Sequence, residues 1–141
     1  MRLDDQLTAT DEQAIHKGLT TYGNQCAPPR NYHSLSLVVR NSEGRAVAGL
    51  LGSTIWDWLQ VDALWVEESM RGRGFGTRLL AEAEQRALAR GCGKARLDTF
   101  DFEARSFYEE RGYVVYAELV GFPDGHRQFH MYKVMGEGAA T

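Results

Sequence analysis

Apolar residues at positions 15, 19, 22 and 26 (Ile15, Leu19, Tyr22, Cys26) follow the i, i+4, i+7, i+11 spacing of a helical stripe. Thr10-Asp11-Glu12-Gln13 reads as its capping box, with Thr10 at the N-cap and Gln13 three residues on, and Pro28-Pro29 ends the helix. The pattern then changes. Residues 35–40 are apolar and partly β-branched, residues 41–45 carry turn formers, and residues 46–56 follow as the partner strand of a hairpin. Gly49 and Gly52 inside that second strand predict a bulge or a close backbone approach. Asp57-Trp58 turns the chain into another apolar run, residues 61–66, of strand character. Helical spacing returns after Gly76. Leu79, Leu80, Ala83, Ala87 and Leu88 fall on one side, with Arg78, Glu82, Arg86 and Arg90 on the other, and Glu82 and Arg86 form a favourable i,i+4 pair. Gly91-Cys92-Gly93 closes that helix, and residues 95–100 form the next strand. A short helix at about 103–111 stops at Gly112. Residues 113–120 are a strand, 121–126 a loop, 128–134 the last strand, and 136–141 a frayed end. Strand, helix and strand in that order imply a parallel crossover. The expected architecture is α/β: one mixed sheet, helices on both faces, antiparallel strands first, then a parallel pair, then an antiparallel pair. No internal repeat or second domain is visible, so residues 1–141 read as a single domain.

The chemistry concentrates between the 61–66 strand and the helix after it. Gly72, Gly74 and Gly76 occupy every second position, flanked by Arg71 and Arg73. A strand, a glycine-rich turn and a helix opening from the turn make an anion site, because the backbone can approach the ligand and the first N–H groups of the helix point at it. The arginines add positive charge. The spacing excludes two common phosphate cradles. No Gly-Lys-Ser/Thr occurs anywhere, so this is not a P-loop. The third position after Gly72 is Thr77 and after Gly74 is Leu79, so G-x-G-x-x-G fails as well.

Composition narrows the partners. The chain has 141 residues, long enough for a real core, and a formal charge of −3. That balance argues against nucleic acid or an anionic membrane as the main partner, and it makes the Arg71, Arg73, Arg78 cluster stand out. Cys26 and Cys92 lie far apart, without C-x-x-C or paired histidines, so neither a metal site nor a disulfide is expected. The first residues, Met1-Arg2-Leu3-Asp4-Asp5, lack an apolar stretch, and no run approaches membrane-spanning length. A soluble, cytoplasmic protein is expected.

Arg71 to Gly76 fits Arg-x-x-Gly-x-Gly, preceded by Leu64-Trp65-Val66. A second block follows: Asp101, Ala104, Tyr108, Gly112 and Tyr113, spaced as Asp-x-x-Ala-x-x-x-Tyr-x-x-x-Gly-Tyr. The two blocks resemble the GCN5-related N-acetyltransferase (GNAT) superfamily in order and separation. The resemblance covers roughly residues 35–134. It implies a GNAT-like fold in which the two central parallel strands splay into a V that takes the acyl-pantetheine arm. It further implies acetyl-CoA as co-substrate. The backbone of Arg73, Gly74, Phe75, Gly76 and Thr77, in a turn that includes Arg71 and Gly72, would hold the pyrophosphate. Leu64, Trp65 and Val66 form the family's strand end, and the edge of Trp65-Val66 would pair with the pantetheine amides.

By the same resemblance Tyr108 is the candidate catalytic residue, a phenol that donates to the thiolate leaving group; its other reading is a packed helix tyrosine. Asp101 stands where the family usually has Asn, which puts its coenzyme contact in doubt, and an N-cap role fits it equally. Asp62, Glu67, Glu68 and Asp98 are all near the V, and none is singled out as the base. His126 is a candidate for lining the acceptor pocket or for a local hydrogen bond. Trp56, Trp58 and Trp65 could shape an acceptor cleft or belong to the core. The expected function is acetyl transfer to a primary amine, on a small molecule or a peptide, by direct attack; the alternative is a CoA-binding module without turnover. Homodimers are common in the family, and nothing in the sequence shows one here.

Overall fold

The structure is a computed structural model that describes residues 1–136, so most of the expected frayed end lies outside the described residues. These divide into two compact units, Met1–Arg30 and the chain from Asn31 onward.

The first unit is α1 (Ala9–Cys26), preceded by a short extended lead. Its capping box is set two residues earlier than the sequence predicts. Thr8, not Thr10, is the N-cap. Its hydroxyl accepts from the Asp11 N–H at 3.1 Å, and the Asp11 carboxylate accepts from the Thr8 N–H at 3.0 Å. A charged carboxylate at the third helical position satisfies the cap N–H better than the neutral Gln13 amide, and it also complements the helix dipole. Ala27 leaves the helix in extended backbone ahead of Pro28.

The second unit is a seven-stranded mixed sheet: β1 (His33–Ser34), β2 (Leu37–Arg40), β3 (Ala46–Ile55), β4 (Trp58–Val66), β5 (Lys94–Phe100), β6 (Val114–Val120) and β7 (Arg127–Val134). Their order is β1-β3-β4-β5-β7-β6, with β2 pairing β3 beside β1. The helices are α2 (Phe75–Ala89) and α3 (Arg105–Glu110). The strand expected at 35–40 is divided, because Leu35 drops into the core and its N–H donates to the Gly52 carbonyl at 2.9 Å. Asn41 organises the hairpin turn, its side-chain oxygen accepting from the N–H groups of Glu43 and Arg45.

Two features of the sheet position the site. The first is the bulge forecast by Gly52. The β3–β4 register shifts between Leu51 and Gly52, so Asp62 becomes the extra residue. A Cβ on Gly52 would lie 2.5 Å from the Gln60 carbonyl oxygen. Gly52→Ala is therefore expected to destabilise the protein by about 1–3 kcal/mol in urea unfolding, since backbone rather than a movable side chain must yield. Because the bulge inserts one residue, Leu64 and Val66 join Leu59 and Val61 against the core, while Trp65 turns to the opposite face and is 49% exposed. The second feature is a fork. β4 and β5 run parallel and pair only from Trp58–Lys94 to Val61–Leu97, although both strands continue beyond. This is the splay that the resemblance implies.

Leu79, Leu80, Ala83 and Ala87 of α2 are buried against Leu50, Leu59 and Leu97, in one core that also takes Tyr108 and Tyr113. Arg90, expected on the solvent side, instead reaches the Thr54 hydroxyl at 2.9 Å. Gly112, at φ 94°, ends α3 as expected.

Candidate active site

The glycine-rich turn has the conformation its composition demands. Gly72 and Gly74 hold φ values of 77° and 82°, which side chains resist, and Gly74 is the N-cap of α2. The first bond of the helix ladder runs from the Arg78 N–H to the Gly74 carbonyl at 3.0 Å. The N–H groups of Phe75, Gly76 and Thr77 precede the ladder and face outward from the helix start, where the dipole is positive. Gly76 has a different reason to be glycine: a Cβ there would sit 3.4 Å from the Phe107 ring, so its absence lets α3 approach the turn.

A cleft of about 500 Å³ joins this turn to the second sequence block. Leu64 and Val66 of β4 form one wall, and Arg71, Gly72, Gly74, Phe75, Gly76 and Thr77 form the end. Met70, Ala104, Phe107, Tyr108 and Arg111 complete it. Thus eight of the ten expected cofactor residues line one cleft with Tyr108, whereas Trp65 and Arg73 do not line it.

The edge of β4 accounts for Trp65. The Glu67 N–H donates to the Val47 carbonyl on β3 at 2.8 Å. In an antiparallel ladder the bonded residues alternate, so Trp65 is also turned to β3, while Leu64 and Val66 present N–H and C=O to the open side. Arg71 Nε donates to the Val66 carbonyl on that open side at 3.1 Å. The available edge is therefore Leu64 and Val66, one residue either side of Trp65.

Tyr108 is 6% exposed and held by edge-to-face contacts with Phe107 and Tyr113. Its hydroxyl makes no hydrogen bond to another described residue. Burial, with a smaller push from the Glu103 carboxylate, raises its pKa to about 12.

The sequence from residue 6 to residue 113 matches the model of the acetyltransferase (GNAT) family. The chain belongs to that family. A curated relative, an acetyltransferase of Agrobacterium fabrum, is 36% identical over 83% of this chain and 85% of its own. The blasticidin-S acetyltransferase of Streptomyces morookaense is 43% identical over 58% of this chain and 61% of that protein, so the match spans less than two thirds of that relative. An acetyltransferase crystal structure from Agrobacterium tumefaciens superposes with TM-score 0.87 at 33% identity, covering 95% of this chain and 98% of that one. A Bacillus anthracis acetyltransferase with the same fold, at TM-score 0.64 and 19% identity over 82% of this chain and 68% of that one, was crystallised with acetyl coenzyme A.

Other candidates in this GNAT chain take up roles that local sequence could not assign. Asp101 does not cap α3. Ala104 stands at the N-cap without a side-chain bond. Asp101 accepts from the Arg127 N–H at 3.1 Å and pairs with His126 at 2.9 Å, tying the end of β5 to the loop before β7. His126 therefore has the local hydrogen bond that was one of its two expected roles. Glu67 is engaged by Arg45 at 2.6 Å and by the Ser69 hydroxyl at 2.9 Å, which hold its carboxyl below its usual range. Asp62 is exposed at the bulge. Asp98 pairs with His130 Nδ1 at 2.6 Å, and Arg111 donates to the Phe107 carbonyl at 2.8 Å and to the Thr77 hydroxyl. Neither His130 nor Arg111 is singled out by the sequence. Both cysteines are unpaired; burial and the Asp57 charge raise the Cys92 thiol, which disfavours the thiolate that a covalent route would need. Among the described residues no helix is long and apolar enough to cross a membrane, and no cluster of three or more His, Cys, Asp or Glu side chains could hold a metal.

Proposed function

We propose that this GNAT chain transfers the acetyl group of acetyl-CoA to a primary amine by direct attack. The observation that carries the reading is one groove that runs from the anion-binding turn, past the free edge of β4, to Tyr108. Its parts fit the coenzyme in order. The N–H groups of Phe75, Gly76 and Thr77, with the Gly72–Gly74 turn, would hold the pyrophosphate. Leu64 and Val66 would pair with the pantetheine amides as an added strand does, and Tyr108 would stand at the sulfur. Arg71 would brace the strand end, and Arg73 would contribute field rather than contact. When bound, the coenzyme supplies an activated acyl carbon on a thiolate leaving group, whose conjugate acid at about pKa 8.5 is far stronger than an alcohol. The chain's own contribution is orientation, a dry apolar wall and a hydrogen bond to the leaving atom. The acceptor is a small-molecule or peptide amine.

Thermal unfolding with acetyl-CoA, with CoA and with ATP tests the cofactor assignment. At a hundredfold its dissociation constant, either CoA species should add about 2.7 kcal/mol of stability, and ATP little. Absence of a shift with both CoA species would remove the basis of the assignment.

A further inference from the structure

On the face of the sheet opposite the cleft, two adjoining cavities of about 470 and 350 Å³ share Trp58 and Arg96 in their linings. Tyr116 and Tyr132 complete the larger one, and the Trp58 and Tyr132 rings lie 6.4 Å apart. Arg96 donates to the Gln60 side chain at 2.8 Å, and among the described residues no carboxylate forms an ion pair with it. A partly buried guanidinium in a cavity otherwise lined by aromatic side chains favours an apolar ring bearing a carboxylate. Two residues further along β5, about 6.6 Å by strand rise, Asp98 on the same face pairs with His130, whose ring lies 6.1 Å from Tyr116. Asp98 is also the first β5 residue beyond the fork, where β4 and β5 leave the two faces without hydrogen-bonded backbone between them.

We propose that this cavity binds the acceptor amine, that the acceptor carries a planar ring and a carboxylate, and that His130 is the base that deprotonates it. The assignment rests on the acetyl-transfer reading above. Arg96 takes the carboxylate, while the mutually tilted rings of Trp58, Tyr116 and Tyr132 flank the acceptor's ring. The Asp98 carboxylate accepts the Nδ1 proton of His130 and so leaves Nε2 with its lone pair toward the ammonium. Nε2 takes one proton, and the freed lone pair bonds to the carbonyl carbon of the donor thioester. As the carbon–sulfur bond breaks, the Tyr108 hydroxyl hydrogen-bonds the departing sulfur, and the second proton leaving the nitrogen is relayed through it to that sulfur in the same step. One proton is released in all, through His130.

Matched probes test this: 4-(aminomethyl)benzoate, benzylamine, which lacks the carboxylate, and 5-aminopentanoate, which lacks the ring. The wild-type kcat/KM should favour 4-(aminomethyl)benzoate over each of the others by about 10- to 100-fold. Arg96→Met should abolish the preference over benzylamine, and Arg96→Lys should keep part of it. His130→Gln should lower kcat about 100-fold or more with any probe turned over, and leave stabilisation by acetyl-CoA unchanged. Equal use of benzylamine, a preference that survives in Arg96→Met, or full turnover by His130→Gln would overturn the assignment. So would no acetylation of 4-(aminomethyl)benzoate by protein that acetyl-CoA still stabilises; loss of that stabilisation would instead sink the underlying acetyl-CoA reading.

Discussion

Tyr108→Phe is expected to lower kcat with an amine acceptor by about 10²- to 10⁴-fold, with stabilisation by acetyl-CoA unchanged. The substitution removes one oxygen and keeps the ring contacts with Phe107 and Tyr113 that hold α3 in place. The hydroxyl bonds no described residue, so its loss leaves no protein group unsatisfied. The raised pKa limits what the group does. With its pKa near 12, the phenol is a poorer acid than a thiol at about 8.5. It cannot give its proton outright to the departing sulfur. It stabilises the sulfur by a hydrogen bond, and net transfer requires the proton that leaves the amine. The sign of the pH effect follows. Burial favours the neutral phenol, so its contribution is present below the ordinary tyrosine range and is lost only as pH rises through about 12. The deficit of Tyr108→Phe should therefore be the same at pH 7 and pH 10, measured as free-thiol release. A deficit that falls by about half at pH 10 and tenfold by pH 11 would mean an ordinary phenol, and an unaltered kcat would reduce Tyr108 to packing.

Much of this site was legible because its signals are local. A left-handed glycine and an Arg-x-x-Gly-x-Gly turn are each determined within a few residues, and so the cradle and the Gly112 stop of the Tyr108 block could be read directly. What escaped depends on register. Trp65 looked like part of the coenzyme edge until the bulge at Gly52 rotated the strand end by one residue and left Leu64 and Val66 there. Asp98 and His130 are thirty-two positions apart and meet only because β5 pairs β7 at that step. Asp101 read as a cap because it precedes a helix, yet a partner twenty-six residues later competes for it. Even Thr10, a sound local candidate for the cap of α1, was displaced by Thr8, which has an acidic partner at the right spacing. Cross-strand partners have no sequence signature of their own.

The same register dependence governs the largest stability effect expected outside the site. Tyr113 donates to Glu84 at 2.8 Å, and Lys133 donates to the other oxygen of that carboxylate at 2.9 Å, joining α2 to the start of β6 and to β7. The side chains of Lys133 and Glu84 are 22% and 13% exposed, so water replaces neither bond fully. Burial first, then the Glu84 charge, pushes the Tyr113 hydroxyl far up, and it stays a donor throughout the alkaline range. Glu84→Ala strands a buried phenol and a largely buried ammonium together, and should destabilise by about 3–5 kcal/mol. Lys133→Met leaves the Tyr113–Glu84 bond in place and should cost about 1.5–3 kcal/mol. The decisive case is the double variant Glu84→Ala with Lys133→Met, which closes the cycle with the two single variants. Attraction between buried charges is offset by their desolvation, so it should recover much of the Glu84→Ala loss, leaving the phenol as the one unsatisfied group. Urea unfolding of the four proteins measures the coupling. Additive losses would show that the carboxylate and ammonium act independently, each satisfied by solvent despite its burial.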